Sequence, residues 1–306
     1  VGGGIFGGGG ATGPGGTPSD SGVILSTGEV RAYTNNSGQA NQSGSTTTGS
    51  SGPNNNAEFN AAAGARTYDV SFLDVDFIPD HAVLTMQFVF ASEEYPEFQN
   101  SVYQDFVGVW INGTQVEMEV GNGDTDPGNV NSTNNENLFL DNTDDAYNTE
   151  MDGLTVTMTL TMNVVPGALN SIRIGIADVS DSNYDSNLLI AGNSLQTDLI
   201  ATADNTHLDP NSTKTLDVLA NDVNNGPGTL TITHVNGVPV VVGTTVTLKT
   251  GQTVALTSDG TLQLAGDGDA EDFNFTYTLD NGVDSDIGFV NVSSIPCFVQ
   301  GTLIAT

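Results

Sequence analysis

Apolar and polar residues alternate with a period of two along much of this chain. The pattern is clearest in Val83-Leu84-Thr85-Met86-Gln87-Phe88-Val89-Phe90 and in Leu154-Thr155-Val156-Thr157-Met158-Thr159-Leu160-Thr161-Met162. Successive side chains on a strand point to opposite faces, so this alternation predicts half-buried antiparallel strands, apolar on one face and threonine-rich on the other. Further strands are predicted over 22–28, 68–78, 82–90, 106–111, 154–164 and 171–176. They are separated by turn signals such as Pro79-Asp80, Asn112-Gly113, Asp152-Gly153 and Pro166-Gly167. A helical period is not sustained anywhere, and a short turn at 56–63 is the one exception. Beyond residue 200 the strands are shorter, with turns every ~8–12 residues, as in a sandwich of about seven strands. The expected fold class is therefore all-β, with two antiparallel β-sandwich domains in tandem over 19–199 and 200–294. A glycine-rich segment over 1–18 precedes them, and a short piece of different character, 295–306, follows.

Composition narrows the setting. The 306 residues carry 37 acidic against 5 basic side chains, a formal charge of -32. Such a surface repels nucleic acid and anionic headgroups, which excludes both as primary partners. The 37% hydrophobic content falls in β-favouring runs, so low hydrophobicity does not impose disorder. The single cysteine rules out an internal disulfide framework. No run approaches the ~20 apolar residues of a membrane-spanning helix, so no membrane insertion is expected. The chain opens at Val1 rather than Met, which reads as a processed or trimmed piece.

The candidate chemistry is carboxylate chemistry. Glu93, Glu94 and Glu97 crowd into five residues after an apolar strand, and Asp178, Asp181 and Asp185 form a second acidic series. Adjacent carboxylates raise one another's pKa unless a cation or a hydrogen-bond donor compensates. Calcium takes about six to eight oxygen ligands, and these two loops together with Asp105 are the expected calcium site. The alternative at the same positions is a solvated acidic loop without metal. A glycosidase built on Glu93, Glu94 and Asp178 is a third reading. It needs two acids across a cleft lined by aromatics such as Tyr95, Tyr103, Tyr184 or Trp110, and Trp110 lies in an alternating strand, where a core role is expected. Asp267-Gly268-Asp269-Ala270-Glu271-Asp272 is a weaker calcium candidate without the full EF-hand pattern. His81, His207 and His234 lack metal-ligand spacing. In the N-terminal segment Ile5 and Phe6 are the only large apolar handles among glycines, and they are expected to anchor self-association by strand addition.

Three resemblances add to this reading. The first is carried by Phe90-Ala91-Ser92-Glu93-Glu94-Tyr95-Pro96-Glu97-Phe98 and Asp105-Phe106-Val107-Gly108-Val109-Trp110-Ile111-Asn112-Gly113. Asn148-Thr149-Glu150-Met151-Asp152-Gly153 and Ile176-Ala177-Asp178-Val179-Ser180-Asp181-Ser182-Asn183-Tyr184-Asp185 complete it. In this order the four blocks resemble the choice-of-anchor L domain of bacterial surface and secreted proteins, over 22–195. That resemblance implies an exported protein with no known catalytic activity. The second rests on Leu216-Asp217-Val218-Leu219-Ala220-Asn221-Asp222 and Phe273-Asn274-Phe275-Thr276-Tyr277-Thr278-Leu279, which resemble a bacterial cadherin-like or immunoglobulin-like module. Such modules often carry an Asp-rich loop where this chain has Val223-Asn224-Asn225-Gly226, and the departure argues against calcium there. Finally, Cys297-Phe298-Val299-Gln300-Gly301-Thr302-Leu303-Ile304 resembles the opening strand of a Hint (hedgehog/intein-type) self-processing domain. The resemblance implies that Cys297, in a full-length precursor, attacks the Pro296 carbonyl as processing nucleophile. The alternative is a last strand ending in an inert cysteine.

Together these readings predict a non-enzymatic, secreted bacterial structural protein of a fibre, matrix or surface layer, self-assembling and stabilised by calcium. The alternative is a cell-surface adhesin that binds glycan or another surface ligand through its first sandwich. A glycoside hydrolase is the third.

Overall fold

A computed structural model describes residues 2–12, 15–35, 37–118 and 126–294. The first sandwich contains strands β1 (Gly3–Gly7), β2 (Ser21–Ser26), β3 (Thr67–Phe77), β4 (Val83–Ser92), β5 (Phe106–Ile111) and β6 (Thr114–Gln115). It is completed by β7 (Phe139–Asp141), β8 (Gly153–Thr155), β9 (Met158–Asn163), β10 (Asn170–Val179) and β11 (Ser186–Ala191), with one helix, α1 (Ala57–Ala63). One sheet runs β1-β2-β11-β4-β8-β7, with β9 also paired to β4; the other runs β3-β10-β5-β6. Leu84, Met86, Phe88 and Phe90 of β4 face Val109, Ile172, Ile174 and Ile176 across the core. α1 begins at Asn56, whose side chain accepts from the amides of Glu58 and Phe59, and ends at Gly64 in the left-handed region. It buries Phe59 against Phe106 and Trp110 on the outer face of the smaller sheet, the Phe59–Trp110 centroids lying 5.0 Å apart. Trp110 is thus core, as its alternating strand predicts.

The second sandwich contains β12 (Leu199–Ile200), β13 (Asp204–His207), β14 (Thr213–Leu216), β15 (Val223–Asn224), β16 (Thr231–Val235) and β17 (Val238–Pro239). β18 (Thr245–Thr247), β19 (Thr253–Leu256), β20 (Leu262–Ala265), β21 (Phe273–Asp280) and β22 (Ser285–Ser293) follow. Its sheets run β13-β22-β21-β16-β17 and β14-β20-β19-β18, with a small β12-β15 pair at the junction. The core centres on Val254, Leu262, Phe275 and Tyr277.

Several expectations need correction. The predicted strand over 154–164 is two strands. Ala91 faces Leu154 while Phe88 faces Met158, so one extra residue is inserted and β8 and β9 separate. At the break the Phe90 amide donates to Thr155 Oγ1 instead of to a backbone carbonyl. The threonine face of β4 is not solvated, since Thr85 is fully buried and Gln87 is 8% exposed. The second sandwich covers this face, where Gln87 Nε2 donates to Ser285 O at 2.7 Å. The first sandwich is antiparallel as expected, and the second departs from this at one pair, β13 with β22, which run parallel. The glycine-rich segment packs on its own chain. Its β1 pairs with β2 of the same chain, Gly3 opposite Leu25 and Gly7 opposite Ser21. Phe6 packs on the cluster of Ile24, Val89 and Leu189, with its ring filling the space a side chain on Gly22 would take.

The two sandwiches meet through specific polar contacts. Thr159 Oγ1 donates to Asp286 Oδ1 at 2.9 Å, Asn137 Nδ2 donates to Asn274 O at 2.9 Å, and Asn274 Nδ2 donates to Asn135 Oδ1 at 2.7 Å. Phe289 of β22 extends the core of the first sandwich.

Candidate functional site: a buried carboxyl centre

Antiparallel strands bring their alternate ends together, and here one end of the first sandwich collects acids. Glu93 and Glu94 follow β4, Asp105 precedes β5, Asp152 precedes β8, Asp178 lies near the end of β10 and Asp185 precedes β11. The β10 register against β3 shifts between Ile176 and Asp178, and such a bulge re-aims the side chains around it. Glu93, Glu94, Asp105, Asp178 and Asp185 are all at most 3% exposed. Glu97 is exposed and Asp181 half-buried, so these two rim the centre rather than belong to it. No Lys or Arg forms an ion pair with these acids among the described residues; Arg173 is engaged by Glu58 and Asp74.

The glycine-, serine- and threonine-rich stretch ahead of α1 closes over this end. The amide of Thr46 donates to Glu93 Oε1 at 2.8 Å, and the amide of Thr48 donates to Asp185 Oδ1 at 2.8 Å. Thr48 Oγ1 also donates to Asp185 Oδ2. Gly28 sits against this contact, and a Cβ there would fall 2.0 Å from Asp185 Oδ2. Asn41 Nδ2 donates to Asp152 Oδ1 at 2.6 Å.

Two carboxyl–carboxyl contacts divide the centre. Glu93 stands beside Asp152, and Asp105 stands beside Asp178. Carboxylates placed side by side repel one another unless a proton or a cation intervenes. Even so, Glu93 Oε2, Glu94 Oε2, Asp105 Oδ2 and Asp178 Oδ1 face no N–H or O–H donor. Burial pushes the carboxyls up: Glu93 to about 8 against the donors at Thr46, and Glu94 to about 9 with the fields of Asp181, Asp178 and Glu97 added. Burial likewise lifts Asp105 and Asp178 well above the carboxylate range, and raises Asp185 to about 6.

The donor set around Glu94, Asp105 and Asp178 is all oxygen. Ser186 is within hydrogen-bonding reach of Asp105 and Thr27 of Asp178, and Ser186 Oγ lies 2.8 Å from Ser92 Oγ. Hard oxygen donors of this kind suit calcium rather than zinc or copper. Among the described residues, however, no three acidic, histidine or cysteine side chains converge on one point as a finished metal shell would.

Other expected residues lie elsewhere. Tyr95 is fully buried and donates to Val130 O at 2.6 Å, which removes it from any cleft. Phe98 instead joins Tyr103 and Tyr184 in an outer aromatic group, with centroid distances of 5.9 and 5.0 Å. Ile5 is 89% exposed on β1. Pro296 and Cys297 fall outside the described residues. Sequence reasoning missed Asp152, which reads as half of an Asp-Gly turn, and the amides of Thr46 and Thr48, which have no side-chain signature. It also missed a second acidic group, in which Tyr277 donates to Asp222 Oδ2 at 2.9 Å and burial raises Asp204 and Asp286 each to about 7.

A family model described as the choice-of-anchor L domain matches residues 4–196. No curated protein matches the chain. The matched stretch contains every acid of the buried centre, and a choice-of-anchor domain marks a cell-surface or secreted bacterial protein. No helix among the described residues is long and apolar enough to cross a membrane.

Proposed function

The chain belongs to the choice-of-anchor L family, and from that premise we propose that it is a non-enzymatic structural protein of a bacterial extracellular fibre, matrix or surface layer that pairs with further copies of itself. The observation that carries this reading is the edge at β1. This strand ends its sheet, three of its five residues are glycine, and Ile5 projects from it almost fully exposed. An uncovered edge offers a row of main-chain donors and acceptors to another strand. The opposite edge of the same sheet, β7, is guarded: Lys249 Nζ donates to Phe139 O and lies 5.3 Å from the Phe139 ring centroid. The cadherin-like module then acts as a spacer docked firmly on the first sandwich. The Hint-like tail, in a longer precursor, serves processing.

The test is sedimentation and negative-stain microscopy of the chain beside Ile5→Lys. A lysine at this exposed position leaves the core untouched and opposes edge pairing. Assembly by the parent and not by the variant is expected. A parent that stays monomeric at all concentrations, or a variant that assembles equally well, refutes the reading.

The outer aromatic group, in which Tyr103 is exposed and Phe98 and Tyr184 are half-buried, lies beside Val102 at 71% exposure and favours the adhesin as second reading, since flat rings stack on sugar faces. Glycan-array binding abolished by Tyr184→Ala would move it to first place. The burial of Glu93, Glu94 and Asp178 weighs against a hydrolase, whose acids must touch substrate.

A further inference from the structure

The carboxyl centre poses a physical problem that the fold alone leaves open. Glu94, Asp105 and Asp178 are 1%, 1% and 3% exposed. Each carries an oxygen that no donor meets, and no ion pair reaches them among the described residues. Buried charges are normally paired or bound to metal. Glu93 and Asp185 differ, because the amides of Thr46 and Thr48 already satisfy one oxygen of each.

We infer that Glu94, Asp105 and Asp178 are the carboxylate ligands of a structural calcium ion at this end of the first sandwich. Any proton these carboxyls hold passes to solvent as the ion binds, and the ion draws together three side chains that do not converge on one point without it. The hydroxyls of Ser186, Ser92 and Thr27 stand beside them and help to reach the six to eight oxygens that calcium takes. Two loops and three strand ends contribute, which gives the adaptable geometry that calcium tolerates. Magnesium demands a tighter octahedron and gives up water reluctantly. Ordering follows from the same contacts: the Val179 amide donates to Asp105 Oδ1 at 3.2 Å, and the Thr46–Thr48 stretch is pinned through the neighbouring acids. The inference does not depend on self-assembly, and its readouts are taken on dispersed protein.

The experiment compares chelator-treated protein with and without calcium chloride, with magnesium chloride as control, by calorimetric titration and thermal melting. Binding only the folded state at about a hundredfold excess over Kd should raise the midpoint by roughly 5–10 °C, and magnesium should not. Asp178→Asn and Asp105→Asn should each abolish both the titration heat and the shift, while Asp267→Asn in the second sandwich should leave them. Wild-type hydrogen exchange supplies a localisation that needs no variant: calcium should slow the Val179 and Thr46 amides. No heat and no shift in the wild type overturns the inference. So does a calcium response that persists in both Asp variants, or protection confined to the second sandwich.

Discussion

Asp286 allows a quantitative test of how the two sandwiches hold together. It is fully buried on β22. Its Oδ1 accepts from Thr159 of the first sandwich and its Oδ2 accepts from the Ala201 amide at 2.9 Å. Burial outweighs these donors, and with the field of Asp222 it lifts the carboxyl from 3.8 to about 7. Asp204 and Asp222 are the other acids gathered with it around Tyr277. Between the two pKa values the folded state keeps a proton that the unfolded chain has lost, so stability falls as pH rises. The contribution is complete below pH 3.8 and lost through about 7. For this one group the loss between pH 5 and pH 8 is on the order of 2–3 kcal/mol. Asp286→Asn mimics the protonated acid. Its Oδ1 can accept from Ala201 while its Nδ2 donates to Thr159 Oγ1, which can rotate. Calorimetric melts in chelator from pH 5 to 8 should therefore show the variant losing about 2–3 kcal/mol less than the parent, equivalent to ~5–10 °C in midpoint. Asp204 and Asp222 remain in both proteins and cancel in the comparison. Parallel pH curves for the two would refute the reasoning, since they would mean that Asp286 ionises as freely in the folded state as in the unfolded chain.

Two further outcomes are expected. Gly153→Ala should lower stability by roughly 1–3 kcal/mol, because its Cβ would lie 2.4 Å from the Tyr95 ring and 2.6 Å from Phe139, both buried; an unchanged melting midpoint would show that these rings can yield. In a precursor that continues into a complete Hint domain, Cys297→Ala should abolish cleavage at Pro296–Cys297, and normal cleavage, read by mass spectrometry, would remove the processing role.

The longer strands of the first sandwich were legible where they alternate, as β3 does over 71–77, whereas the short or fully buried β1, β6, β7 and β11 were not predicted. Features decided by tertiary contact were not legible. Thr85 of β4 and Thr159 of β9 look solvated until the second sandwich is laid over them. The strand predicted over 154–164 breaks because Thr155 Oγ1 replaces a ladder acceptor, and no periodicity announces such a break. Two loops named the acids, but Asp152 comes from a third. Sequence assigned Glu97 and Asp181 the same standing as Glu94 and Asp178, because charge alone does not say which side of a loop faces inward. The cover over Glu93 and Asp185 is made by backbone amides of Thr46 and Thr48, groups that every residue except proline possesses.

The same burial changes what the formal charge of -32 means. That figure assumes every carboxyl is ionised at neutral pH. Glu93 and Glu94 instead hold their protons near neutrality, Asp105 and Asp178 are also raised well above the carboxylate range by burial, and Asp204 and Asp286 sit near their midpoints. Without a cation the protein is therefore less negative than its composition states, and the shortfall lies inside the sandwiches rather than on their surfaces. Surface repulsion between copies is then set by the exposed acids alone, which salt screens over about 10 Å. Interior acids act instead on folding, through protons or a bound cation. An acidic composition usually read as a solubility device is thus divided in this fold between an outer charge that spaces neighbouring molecules and an inner set of carboxyls whose charge burial suppresses.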